Sequence, residues 1–166
     1  MAAAVGAFVL SGCLRVTTDG GVEVRPPDAE AQLFGRTFTM DENRLVAWAL
    51  LDGRSVVYVY DAVGDGWVHD ATITPDAASY PSSGWGRALA VSGDTIVIGD
   101  PYTQLGDPAA GYGAVHVYDL VAGTWTRSQT IGNTDPVSQL GSGVWMTGEA
   151  MAVQNGADLP RRVHGR

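Results

Sequence analysis

The chain has 166 residues, enough for one domain with a substantial core. Glycine is abundant at 22 residues, charged residues make up only 17% and lysine is absent, so long solvated helices are not expected. A net charge of −8 repels phosphate backbones and argues against nucleic-acid binding, and a single cysteine excludes an intramolecular disulfide framework.

Residues 1–12 carry no charged side chain. Ala2 to Leu10 form an apolar run too short to span a bilayer, which takes roughly twenty residues. It has the size of a signal-peptide core. The run ends in Leu10-Ser11-Gly12-Cys13, which resembles the lipobox of bacterial lipoproteins. That resemblance implies cleavage after residue 12 and a lipid anchor on Cys13, with the protein facing the periplasm or the cell exterior. The first basic residue, Arg15, follows the cysteine rather than opening the chain. The alternative for Cys13 is a buried free thiol at the start of an apolar strand. Residues 13–32 read as a flexible tether, because Thr17 to Gly21 is turn-like and Pro26-Pro27-Asp28 stops regular structure.

From residue 33 the chain repeats itself. Phe34-Gly35-Arg36 returns as Trp85-Gly86-Arg87 and in part as Leu140-Gly141, about fifty residues apart each time. Each copy continues with an alternating strand, a polar turn and a second apolar strand: Thr37–Met40 with Leu45–Trp48, Arg87–Val91 with Thr95–Ile98, and Val144–Met146 with Ala150–Val153. Tyr58-Val-Tyr-Asp61 aligns with His116-Val-Tyr-Asp119, and Trp67 and Trp125 then open a polar strand. Each unit therefore has about four short strands. Val57 and Val59 face one way and Tyr58 and Tyr60 the other, so the sheet needs cover on both faces, as stacked blades provide.

Gly35 and Gly86 after an aromatic residue, Ser92-Gly-Asp-Thr-Ile-Val-Ile-Gly-Asp-Pro101, Gly113-Ala-Val-His-Val-Tyr118 and Gly123-Thr-Trp-Thr126 together resemble the bacterial FG-GAP repeat, related to integrin α-chain propeller blades. The kelch repeat is the second choice, and its Gly-Gly pair is missing here. Either resemblance implies an all-β fold, a partial β-propeller of two four-stranded blades plus part of a third. The repeats span 33–158, as units at about 33–79, 84–135 and 139–154, with an irregular tail at 159–166. Propellers close with four to eight blades. Two blades and a part leave open edges, so the chain is expected either to be marginally stable or to complete itself by self-association.

Integrin-type blades hold calcium in loops of closely spaced aspartates. The loop taken as matching, 100–113, offers only Asp100 and Asp107. Asp61 and Asp65 are turn residues. His69, His116 and His164 have no partner at metal-ligand spacing. Ser142 lies in Gly141-Ser-Gly143 without a nucleophile-elbow pattern. No metal, cofactor or catalytic residue is expected. Trp67 and Trp125 read as packing residues. Tyr80, Trp85, Tyr102 and Tyr112 are either packing residues or contacts for a protein or carbohydrate ligand. The expectation is an envelope-anchored binding or adhesion scaffold. The alternatives are a remnant of a propeller enzyme whose catalytic blades are missing, or a non-functional fragment.

Overall fold

The computed structural model describes residues 22–75, 84–103, 113–132 and 139–156 in full, together with the strand backbones of 6–10, 13–17 and 161–163. Every regular element among them is a β-strand. Among the described residues no helix is long and apolar enough to cross a membrane.

The strands fall into four antiparallel sheets, each a simple meander. The first joins β1 (Gly6–Leu10), β2 (Cys13–Thr17) and β3 (Val22–Val24). Blade one joins β4 (Phe38–Met40), β5 (Arg44–Leu51), β6 (Arg54–Val63) and β7 (Gly66–Ile73). Blade two joins β8 (Ala88–Ser92), β9 (Thr95–Asp100), β10 (Ala114–Val121) and β11 (Thr124–Gly132). Blade three joins β12 (Leu140–Thr147), β13 (Ala150–Asn155) and β14 (Arg161–Val163). The fold is the expected all-β, partial propeller-like one. β8 touches β4 and β5 on one side and β12 on the other, so the blades stand in chain order.

Period-two alternation sorts the side chains into layers. Val46, Trp48, Val57 and Val59 leave blade one towards blade two and meet Leu89, Val91, Ile96, Ile98 and Tyr118. From the other face of blade two, Ala88, Ala90, Val97 and Val115 meet Val144 and Val153 of blade three. Leu45, Ala47, Ala49, Val56, Tyr58 and Tyr60 leave the far face of blade one. Each Val or Ile buried in these layers contributes about 1.5–3 kcal/mol. Blades one and two also share a register shift at one repeat position, between Val59 and Tyr60 in β6 and between Val117 and Tyr118 in β10.

The far face of blade one is covered by the chain's own residues 22–34. Val24 and Phe34 are buried there. Tyr58 Oη donates to Asp28 at 2.8 Å, and Tyr60 Oη donates to the Arg25 carbonyl at 2.8 Å. Gln32 bridges Leu50 through both backbone groups, at 2.7 and 2.8 Å. Within the stretch expected as a tether, 13–32, residues 13–17 form β2, and Val24, Asp28, Ala31 and Gln32 contact the apolar face of blade one. Within the tail expected over 159–166, residues 161–163 form β14, which pairs with Met151–Val153 of β13 and satisfies backbone groups there.

The first junction is also tied at the end where β4 turns into β5. Asp41 Oδ1 accepts from the amides of Asn43 and Arg44 at 2.8 Å, and Oδ2 accepts from the Gly93 amide of blade two at 2.7 Å. The Arg44 guanidinium reaches Asp61 at 3.3 Å, Asp94 at 3.0 Å and the Gly93 carbonyl at 3.1 Å, and it lies 5.2 Å over the Trp125 ring.

Candidate functional site

At the opposite end, each blade opens with the same turn. The amide of the fourth residue donates to the carbonyl of the first: Arg36 to Leu33 and Arg87 to Gly84, each at 3.0 Å, and Ser142 to Gln139 at 3.1 Å. The third residue is Gly35, Gly86 or Gly141, with φ of 74°, 82° and 90°. That is the value a type II turn requires at this position, and it explains why glycine recurs there. The second residue plugs the core, with Phe34 and Trp85 buried. The fourth residue is left exposed in blades one and two, which sets Arg36 and Arg87 at matching places on neighbouring blades.

The two junctions differ at this end for a definite reason. The Gly35 amide donates to the Trp48 carbonyl at 3.0 Å, and the Gly86 amide donates to the Gly99 carbonyl at 2.9 Å, so Trp48 and Gly99 occupy equivalent positions. At the second junction the backbones of Gly99 and Gly141 lie so close that a Cβ on either would overlap the other strand. Gly113 also bridges Leu140 directly. At the first junction the Trp48 ring fills the space beside Gly86, where a Cβ would overlap it. The indole wedges the blades apart.

The gap left is a cleft of about 330 Å³ lined by Arg36, Thr37, Trp48, Leu50, Ser55 and Arg87. Among the described residues no acidic side chain lines it, although the chain carries a net charge of −8. Among the described residues neither arginine pairs with a carboxylate. The Arg87 guanidinium lies 5.6 Å over the ring of Tyr102, which is 42% exposed. Thr37 Oγ1 donates to the Arg87 carbonyl at 3.4 Å and keeps lone pairs for a ligand. The Trp48 indole N–H is buried without an acceptor among the described residues. The cleft therefore offers two guanidinium forks, two hydroxyls and an apolar wall.

The structure places the residues singled out in the sequence as follows. Cys13 opens β2, with its backbone opposite Leu10, while Ser11 and Gly12 lie outside the described residues. Trp125 packs at the first junction and donates from Nε1 to Asp70 of blade one at 3.1 Å. Trp67 packs on the covered face of blade one. Trp85 is core, and Tyr102 is the exposed aromatic beside the cleft; Tyr80 and Tyr112 lie outside the described residues. His69 stands edge-on to Tyr58 and Tyr60. Ser142 Oγ donates to the Gly156 carbonyl at 3.5 Å. Asp107 and His164 lie outside the described residues.

Asp100 and His116 form a buried polar pair. The Asp100 side chain has no exposure, and neither carboxylate oxygen has a hydrogen-bond donor among the described residues. His116 Nε2 lies 3.7 Å away, and its Nδ1 is 3.2 Å from Thr130 Oγ1. In blade one the register-equivalent residues are Ala49 and Tyr58, an apolar and a hydrogen-bonded solution to the same space. Among the described residues no group of three or more His, Cys, Asp or Glu is placed to hold a metal ion.

The cleft arginines enter the sequence only as the third letters of Phe-Gly-Arg and Trp-Gly-Arg. Their signal is the recurrence of one basic residue at one repeat position in a chain that has only ten. No family model and no curated protein matches the chain.

Proposed function

We propose that the protein is a cell-envelope lipoprotein, held by lipid on Cys13, whose propeller-like blades act as a binding scaffold without catalytic chemistry. The observation that carries the binding half is the open cleft between blades one and two, lined by two arginines and by no acidic side chain among the described residues. Small-molecule sites are concave, about 300–1,000 Å³ in volume, and lined by apolar surface with a few convergent polar groups. This cleft has that size and that mixture. It is built on turns and strand ends fixed by the blade core, so the backbone positions that carry its side chains are set before a ligand arrives. The anchor half is supported by Leu10-Ser11-Gly12-Cys13 following an uncharged apolar run. Two or more acyl chains hold a protein stably at a bilayer, at about 0.8 kcal/mol per buried methylene.

Metabolic labelling with radioactive palmitate tests the anchor. The wild type takes up label and fractionates with membranes, and Cys13→Ala does neither. Equal labelling of the two proteins rules the anchor out.

A further inference from the structure

We infer that the cleft between blades one and two binds a carboxylated sugar, a uronic acid residue of an acidic glycan. The inference rests on the scaffold reading for its setting and adds the ligand class. Two unpaired guanidiniums facing one gap repel each other, and an oxyanion between them relieves that repulsion. Arginine forks match a carboxylate in the bidentate geometry that lysine lacks. Among the described residues Arg36 and Arg87 have no carboxylate partner, and none of the described residues of the cleft wall is acidic.

The rest of the lining selects what the carboxylate is attached to. Ser55 and Thr37 present hydroxyl oxygens that can exchange hydrogen bonds with ring hydroxyls. Tyr102, exposed at the rim, and Leu50 with Trp48 inside supply the flat and apolar surfaces on which a pyranose ring packs. A bare inorganic anion would leave those surfaces unused. The blade two–three junction serves as an internal comparison: Ser142 stands where Arg36 and Arg87 stand, and Gly99 closes on Gly141 with no room for a ring. A pair of arginines and the space for a ring therefore coincide at the first junction, whereas the second has serine at one of the two places and no such space.

Isothermal titration calorimetry on the full chain, with trigalacturonate, galactotriose and sodium sulfate as probes, tests this. Trigalacturonate binds one to one, and its affinity falls as salt is raised. Galactotriose and sulfate each bind at least roughly tenfold more weakly. Arg36→Gln and Arg87→Gln each weaken trigalacturonate roughly tenfold. Both side chains are exposed, so both variants melt with the wild type. Absence of trigalacturonate binding overturns the inference. So does galactotriose or sulfate binding as tightly, or Gln variants that bind like the wild type. Such a failure leaves Cys13 labelling untouched, whereas an unlabelled Cys13 with intact trigalacturonate binding removes the anchor alone.

Discussion

A single methyl group is enough to test the turn that opens each blade. Gly86 has a φ of 82° and its missing Cβ faces the Trp48 ring, so Gly86→Ala meets both backbone strain and a clash in a packed junction. Gly93 has a φ of 55° with nothing near its missing Cβ, so Gly93→Ala meets strain alone. Urea denaturation is expected to show a loss of about 1 kcal/mol for Gly93→Ala and about 3 kcal/mol or more for Gly86→Ala. Equal losses would mean that the indole yields freely. The turn itself was legible, because aromatic-Gly recurs at a fixed interval and only glycine accepts that φ cheaply. The cleft beside it was not. Its existence depends on Trp48 and Gly99 being equivalent, and the loops between the copies differ in length, so only backbone pairing reveals the correspondence.

At the scale of elements, hairpins were the readable part. Alternating apolar residues around Gly and Asp turns fix both strand and register, and β5–β6 and β8–β9 follow that pattern. What joins one blade to the next was hidden, because it runs between side chains far apart in sequence. Arg44 is the clearest case. It is 12% exposed and ties β5 to Asp61, to Asp94 in the β8–β9 turn and to the Trp125 face. Arg44→Ala leaves the buried Asp61 Oδ1 without its cation. A loss of about 1–3 kcal/mol in thermal or urea unfolding is expected, and Arg44→Lys recovers only part of it. A variant as stable as the wild type would show the clasp to be ornamental. The Asp100–His116 pair marks a similar limit. Its sequence positions look variable between copies, yet the two residues change together from Ala49 and Tyr58 of blade one.

At the scale of the whole molecule, three apolar layers follow one another among the described residues, and the buried clusters join each blade to its neighbours in the chain. The layer over blade one is the one the sequence obscured. Pro26-Pro27 and the turn residues around it suggest a linker, but the apolar face of Tyr58, Tyr60 and Leu45 draws that segment down. Burial raises both tyrosine pKa values well above their ordinary range, and the nearby Asp28 carboxylate adds to the shift. A raised folded-state pKa means that the folded protein keeps protons that the unfolded chain releases above about pH 10. The stability from these phenols is therefore complete below that pH and is lost as pH rises further. Melting temperatures between pH 8 and 12 should hold steady at first and then drop steeply. Tyr58→Phe/Tyr60→Phe starts lower, by about 1–3 kcal/mol for two lost hydrogen bonds, and falls less steeply. Parallel profiles for the two proteins would place the alkaline transition elsewhere.

The wedge at Trp48 has a consequence for arrays of such units in general. If one strand position decides whether adjoining blades touch or stand apart, the number and location of ligand seats in a tandem array become a one-letter code. A bulky residue there marks a seat and a glycine marks a seam. An array could then gain or lose a seat by one codon change, with every hairpin, turn and core layer around it unaltered.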